Sequence, residues 1–392
     1  MIIGIDGNEA NQKIRVGSGI YAFELLKQFK EFRIQNLEFR IYLKDEPIKD
    51  LPKESSKWKY IIIGPKSLWT QLGLPIKLWR EKMLGIVPDV FFTPSHYAPR
   101  FCPIPSVVTI FDLSFIRFPE MFLPKDLYQL KNWTAYSIRQ AKKIITISEN
   151  SKSDIIKYYG ISEERIVVAY PGYDRQKFKI QPPAGGSKFK INTVKKKYKI
   201  NSLYILCVGT IQPRKNLIRL LEAFAMLKYQ VRKAKPIQER IKLVICGMIK
   251  EGRGGWMQEN FKFQISNFKL ENDVIVTSYV PEDDLPYLMA GAKTLILPSL
   301  YEGFGIPAIE AMACGVPVVV SNVSSLPEIV GDAGILVDPY DVESIMNGLK
   351  EACYNNSRRE ELIDRGLDQV KKFSWESSAA KILKVLNLSS RA

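Results

Sequence analysis

Apolar residues along this chain gather in short runs, and between the runs they recur every three or four positions, a strand signal alternating with a helix signal. MIIGID (1–6) reads as a buried strand. A polar, glycine-bearing loop, GNEANQKIRVGSG (7–19), separates it from an amphipathic helix, IYAFELLKQFKEF (20–32). FRIYL (39–43), KYIII (59–63), DVFFT (89–93), SVVTIF (106–111), KIITIS (143–148) and RIVVAY (165–170) read as further strands. Helical periodicity fills 67–84 and 124–143. SENSKSDIIKYYG (148–160) opens on cap residues and stops at Gly160. Strands alternating with helices predict a layer of parallel β-α-β units.

The pattern lapses over 176–200, where Pro182, Pro183, Gly185, Gly186 and a lysine run predict an exposed connecting segment. It resumes at LYILCVG (203–209). KLVICG (242–247), DVIVTSY (273–279), TLILPS (294–299), PVVV (317–320) and GILVD (334–338) follow as strands. Helices are expected over 216–230, 256–268, 282–292 and 342–354. Two doubly wound α/β domains in series are therefore expected, over 1–175 and 201–373, with 176–200 as linker. A last helix within 374–392 is expected to pack back on the first domain.

At 392 residues the chain exceeds one ordinary core, which agrees with two domains. No apolar run is long enough to span a bilayer. The first residues lack the basic and apolar regions of a secretory signal. The five cysteines are scattered with no CxxC pair, as reduced thiols of a cytoplasmic protein would be. Residues 1–200 carry 34 Lys+Arg against 19 Asp+Glu, a net of +15 out of +16 for the chain. That asymmetry suits an anionic surface such as a membrane leaflet, and equally a solvated, lysine-rich face.

Candidate chemistry concentrates in SLYEGFGIPAIEAMACGVPVVVS (299–321). With Pro307 at the first helical position and Gly315 closing the helix, Glu310 is expected in the first turn and Glu302 in the loop leaving the strand. Ligands of open α/β sheets bind at such loops. Gly303 and Gly305 would expose amides beside a helix N-terminus, and two carboxylates there suit sugar or ribose hydroxyls. Glu310 as a mere complement to the helix dipole needs no ligand and is worth under about 1 kcal/mol. In CVGTIQPRKNLIRLLEAF (207–224) a strand ends at Gly209, and Arg214 and Lys215 stand just before a helix, a good seat for a diphosphate. Alone, such a pair is ordinary surface charge; with the glutamate loop on the same domain it becomes specific.

GTIQPRKN, LPSLYEGFGIPAIEAMACGVPVVVSNVSSLPEIVGDAGILVDP, and ISENSKSDIIKYYGI with YPGYD together resemble the retaining family-4 glycosyltransferases, mannosyltransferases of surface-polysaccharide assembly among them. The resemblance implies two Rossmann-like domains facing across a cleft, the GT-B fold. It implies that Arg214 and Lys215 bind the donor diphosphate and that Glu310 holds the nucleotide ribose. Glu302 would lie beside the donor sugar, with the backbone of Gly303, Phe304 and Gly305 near its hydroxyls. Gly17 and Gly19 of VGSGIY would form a first-domain loop facing the phosphates. VGSGIYA also mimics a dinucleotide fingerprint, but it lies too far past the first strand for the required tight turn.

One departure stands out. Family members often carry a histidine where this chain has Phe111, so only Asp112 of the usual pair remains, and His96 is the sole histidine of the chain. His96 is either a structural residue or a second site residue after another first-domain strand. The resemblance further implies a nucleotide-sugar donor, GDP-mannose favoured over UDP- or ADP-sugars, and a glycan or lipid-linked acceptor. Front-face transfer with retention is implied, with Glu302 positioning rather than attacking. No cofactor is expected, and no metal, since no D-x-D motif or ligand cluster occurs. Three rival readings are a nucleotide-sugar binder with little activity, a nucleic-acid binder, and a phosphorylase or epimerase. The second lacks any recognition signature, so no nucleic acid is expected.

Overall fold

The computed structural model describes residues 1–32, 36–179, 185–234, 241–247 and 254–390. Among them every inter-strand ladder is parallel. The chain divides into two units, Met1–Gly172 with Phe373–Ala392, and Tyr173–Lys372.

The first unit is built on β1 (Ile2–Asp6), β2 (Glu38–Leu43), β3 (Trp58–Ile62), β4 (Val90–Thr93), β5 (Ser106–Ile110), β6 (Lys143–Thr146) and β7 (Ile166–Val168). They pair in the order β3-β2-β1-β4-β5-β6-β7, so the direction of winding reverses between β1 and β4. β4 and β5 are buried at every position, as expected of strands covered on both faces. One covering helix is Trp375–Ser390 at the end of the chain, which packs on the helix Ser18–Glu31 and buries Ile382 and Leu386.

The second unit carries β8 (Leu203–Val208), β9 (Ile241–Cys246), β10 (Val274–Ser278), β11 (Thr294–Leu297), β12 (Val318–Ser321) and β13 (Gly334–Val337). Their order is β10-β9-β8-β11-β12-β13, with the reversal between β8 and β11. Its core joins the inner faces of these strands to the helices Leu217–Ala234 and Val342–Tyr354 through Leu220, Phe224, Leu227, Ile345 and Leu349. Both units are therefore doubly wound α/β layers.

Two stretches differ from the sequence expectation. Residues 180–184 of the expected linker lie outside the described residues, but Gly185–Lys197 is a helix of the second unit. Val194 is buried, and Lys197 and Tyr198 both bind Asp284, at 2.5 and 2.8 Å. The apolar spacing was hidden because lysines fill the positions between. The helix Asn356–Gln369 was also unforeseen. Only Leu362 and Gly366 are buried on it, and Arg358 and Arg365 both pair with Glu361 along its surface, so it shows little apolar period.

The charge asymmetry also changes meaning. Divided by unit rather than at residue 200, the first unit carries 28 Lys+Arg and 19 Asp+Glu, and the second 29 and 22. The nets are +9 and +7, because the lysine-rich helix belongs to the second unit. The excess is shared. Among the described residues no helix is long and apolar enough to cross a membrane, and none of the five cysteines is in a disulfide.

Candidate functional site

β8 and β11 are neighbours at the reversal of the second sheet, and their carboxyl ends carry the two loops singled out in the sequence. A reversal splays the two outgoing connections to opposite faces and leaves a crevice between them. After β8 the chain passes Gly209, makes a single 3₁₀ turn at Pro213–Lys215, turns left-handed at Asn216 (φ 58°) and enters the helix Leu217–Ala234. After β11 it runs through Ser299–Phe304 to Gly305 (φ 108°) and the helix Ile306–Ala313, whose start has no side-chain cap. Gly305 suits that place twice over. Its backbone is left-handed, and a Cβ would stand 2.7 Å from Leu326 Cδ2.

The loops are joined by ions. Lys215 Nζ donates to Glu302 Oε1 at 2.5 Å, and Arg214 Nη1 donates to Glu302 Oε2 at 3.0 Å and to the Tyr301 carbonyl. Ser299 Oγ donates to Glu302 Oε1 at 2.7 Å. Burial, with Glu302 only 7% exposed, would by itself push this carboxyl up. The charges of Lys215 and Arg214 and the hydrogen bonds from Lys215 and Ser299 outweigh it, and hold the group at about 2. Gly209 makes room for the lysine: a Cβ there would lie 3.0 Å from Lys215 Cε.

Serines and an asparagine fix the backbone of this site, and the motif reading had given them no role. Ser324 Oγ accepts from the Glu302 amide, and Ser325 Oγ donates to the carbonyls of Glu302 (2.9 Å) and Phe304 (3.0 Å). Both serines follow β12, so the glutamate loop is held from the next strand along. Asn216 Nδ2 donates to the carbonyls of Pro298 and Pro339, which ties the ends of β8, β11 and β13 together. Phe304 is buried, so at that position the loop offers backbone rather than side chain.

Glu310 is placed differently from expectation. The helix begins at Ile306, so Pro307 is its second residue and Glu310 its fifth, past the first turn. Gly315 does close it, with Val316 N donating to Ala311 O and Gly315 N to Met312 O. The charges that act on Glu310 are those of Glu282, Lys177 and Asp174, not of the Arg214–Lys215–Glu302 group. Desolvation, and after it Glu282, push its carboxyl up to about 8. Lys177 and Glu282 pair at 3.0 Å.

In the first unit the remaining candidates also follow strand ends near a reversal. Gly17 caps the helix Ser18–Glu31 after β1, and Gly19 is that helix's second residue. His96 lies in the loop after β4, and Phe111 and Asp112 directly after β5. The rings of His96 and Phe111 are 5.5 Å apart, and Phe111 meets Tyr21 edge-on at 5.0 Å. Burial lowers the His96 pKa against the opposing charge of Asp112, and its Nδ1 has no hydrogen-bond partner among the described residues. Asp112 Oδ1 accepts from Ser114 N. Among the described residues no cluster of three or more His, Cys, Asp or Glu is arranged to hold a metal.

Two family models match the chain, "Glycosyltransferase Family 4" over residues 17–177 and "Glycosyl transferases group 1" over 190–369. The O-antigen chain mannosyltransferase B of Escherichia coli is 35% identical over 301 residues, 76% of this chain and 74% of that protein. The serotype-specific mannosyltransferase WbdA of the same organism is 29% identical over 240 residues, 61% of this chain but 28% of that longer protein. Among solved structures, Anabaena Alr3699/HepE in complex with UDP and glucose superposes with a TM-score of 0.72 at 19% identity, over 98% of this chain and 99% of that one. With two doubly wound units and a cationic strand-end site between β8 and β11, the chain belongs to the family-4 glycosyltransferases of the GT-B fold and catalyses glycosyl transfer.

Proposed function

We propose that the protein moves mannose from GDP-mannose to a hydroxyl of a glycan or lipid-linked saccharide, with retention of anomeric configuration and without a metal. The observation that carries the reading is the Arg214–Lys215 pair, held on Glu302 at the reversal of the second sheet. Breaking the bond between the sugar C1 and the phosphate oxygen leaves negative charge on the diphosphate. Two cations beside an uncapped helix N-terminus stabilise charge that develops there, and they do so without a metal ion. The mannose preference draws on the E. coli relatives, whose names are mannosyltransferases. UDP- and ADP-sugars are the competing donors, and the UDP bound by HepE keeps the first of them in the test.

Retention through a double displacement would need Glu302 to attack C1. Both of its oxygens accept hydrogen bonds, from Lys215 and Ser299 on one side and Arg214 on the other, and its charge is shared with two cations. A carboxylate so engaged is a weak nucleophile, which supports a positioning role. The acceptor oxygen then bonds to C1 on the face the diphosphate leaves, and the acceptor proton passes to a donor phosphate oxygen. Glu310, with its raised pKa, is assigned to the ribose diol as donor and acceptor. The protein is assigned to the cytoplasm, at the membrane face where a lipid-linked acceptor would be found.

The test is turnover of GDP-mannose, UDP-glucose and ADP-glucose with a panel of mannosides, scored by release of nucleoside diphosphate and by the anomeric signal of the product. GDP release, a retained product and indifference to a chelator are expected. Preference for another donor, an inverted product or loss of rate on chelation would each overturn the corresponding part. The rival reading, a binder with little activity, is favoured by Phe111 standing in the histidine position. It predicts saturable donor binding with no release of GDP.

A further inference from the structure

The segment from residue 68 to residue 86 of the first unit is apolar on both of its faces. It runs as a π-helical turn, Trp69–Gly73, into the helix Leu74–Met83. The inner face is accounted for: Trp69, Leu74 and Leu78 are buried against Tyr42, Ile63 and Phe91. The outer face is not. Leu68, Leu72, Ile76, Trp79 and Met83 follow one another at spacings of four, four, three and four. Ile76, Trp79 and Met83 share one side of the helix, Leu72 lies in the π-helical turn before it and Leu68 just ahead of that turn. All five are exposed, Ile76 at 57% and Met83 at 75%. The helix already packs its inner side on the core, so this second, exposed apolar face lacks its partner.

Two further observations sharpen it. Phe101 lies beside the stripe, since Trp79 Nε1 donates to its carbonyl at 2.9 Å, and the residue is 72% exposed. Phe101 and Leu68 both have left-handed backbones (φ 49° and 53°), an unfavourable state for bulky side chains that here presents them outward. The exposed charges on the helix, and that of Arg100 beside Phe101, are positive, and an exposed acid, Asp45, is paired with Lys66 just ahead of the segment. Lys82 lies over the Trp79 ring at 5.3 Å and Arg100 over Tyr136 at 4.9 Å, and Arg80 is exposed on the helix. Glu81, the single acid between residues 64 and 86, is buried, where it accepts from the Tyr42 hydroxyl and pairs with Lys77.

We infer that this face is the membrane-docking surface of the protein, and that its occupant is the interface of an anionic lipid bilayer. An amphipathic helix with apolar and aromatic residues outward and cations flanking them lies in the plane of such an interface. The indole is oriented for it, with its N–H already satisfied and its ring outward under a lysine. Each basic residue brought near an anionic leaflet raises partitioning about fivefold, so Arg80, Lys82 and Arg100 together give roughly a hundredfold preference over a neutral one. The inference names the surface on which a lipid-linked acceptor would be met, and it rests on that proposed reading only for its purpose, not for its test.

The experiment is flotation of the whole chain with phosphatidylcholine vesicles, with and without phosphatidylglycerol, at low and high salt. The wild type is expected to float with the anionic vesicles at low salt and to be released by salt. Leu72→Ser, Ile76→Ser and Met83→Ser combined should weaken that binding at least tenfold, with the melting temperature unchanged because all three positions are exposed. Arg80→Gln, Lys82→Gln and Arg100→Gln combined should erase the preference for anionic lipid. No flotation by the wild type, or undiminished flotation by the serine variant, overturns the inference. So does self-association that the serine variant abolishes without any vesicle binding, since the face would then belong to a second copy. Turnover of a soluble mannoside, measured on the same preparations, should not change among the variants. Its absence in a wild type that still floats would overturn the proposed mannose transfer and leave this inference standing.

Discussion

Replacing Glu302 by glutamine keeps the shape of the side chain and removes the charge between Lys215 and Arg214. The carboxyl is held at about 2 instead of its ordinary 4.5. At about 1.36 kcal/mol per pH unit that shift contributes about 3 kcal/mol at neutral pH. Leaving two buried cations without their anion gives a loss of the same size. The second unit spans Tyr173–Lys372, and for a domain of that length such a loss lowers the melting temperature by roughly 6–12 °C. The pH dependence identifies the cause. A carboxyl whose folded pKa is depressed contributes above its unfolded value and loses the contribution as pH falls toward the folded value. The gap between wild type and Glu302→Gln should therefore be full above pH 4.5, about 1.4 kcal/mol at pH 3 and gone near pH 2. Calorimetric melts of the whole chain across that range measure it. Adding Lys215→Met to Glu302→Gln should cost less than Lys215→Met does in the wild type, because the lysine has already lost its partner. A melting temperature within about 1 °C of wild type at neutral pH, or a gap as large at pH 3 as at pH 7, would refute the reasoning. Burial of the ion group means that Glu302 substitutions affect stability as well as turnover.

Lys215→Met should reduce turnover by roughly 10²–10³, read as kcat, since it removes a cation from the leaving diphosphate. Gly247→Ala should disrupt the site from outside: its Cβ would stand 1.9 Å from the Gly209 carbonyl, so the strand end must shift, and both the melting temperature and donor affinity should fall. Glu310→Gln should match wild type in stability below pH 4.5 and gain on it as pH rises to about 8, because a raised carboxyl contributes at low pH and loses that contribution upward; urea titrations at several pH values test it. Phe111→His should raise donor turnover if an imidazole beside His96 serves the reaction, and unchanged kcat and hydrolysis would make the position one of packing against Tyr21.

Much of the fold was legible because its strands are short, β-branched runs with no helical period, and β5 or β12 admits no other reading. The site was legible only as fragments. Arg214, Lys215 and Glu302 stood out as separate motifs, but nothing in their spacing of nearly ninety residues says that one carboxylate holds both cations. That contact exists because β8 and β11 are neighbours, a fact of sheet order rather than of local pattern. Ser324, Ser325 and Asn216 escaped for the same reason, since their hydrogen bonds reach other strand ends. Glu310 was misplaced by one residue because Pro307 was read as the first helical residue, when the left-handed Gly305 lets Ile306 begin the helix. The charge of residues 188–199 was credited to the wrong unit because helical lysines and linker lysines look alike in sequence.

The chain leaves the first unit after Gly172 and re-enters it at Phe373, and these two points touch. A Cβ on Gly172 would lie 2.2 Å from the backbone nitrogen of Trp375. In topology the second unit is thus an insertion, two hundred residues threaded between neighbouring positions of its host. Residues 173–372 are bounded by adjacent ends and should be excisable as a folding piece. Stopping the chain at 172 would strip the host of Trp375, Ile382 and Leu386 and leave Ser18–Glu31 without the helix it packs on. A host that keeps its last helix, with a short loop in place of the insertion, is the truncation that respects how the molecule is built.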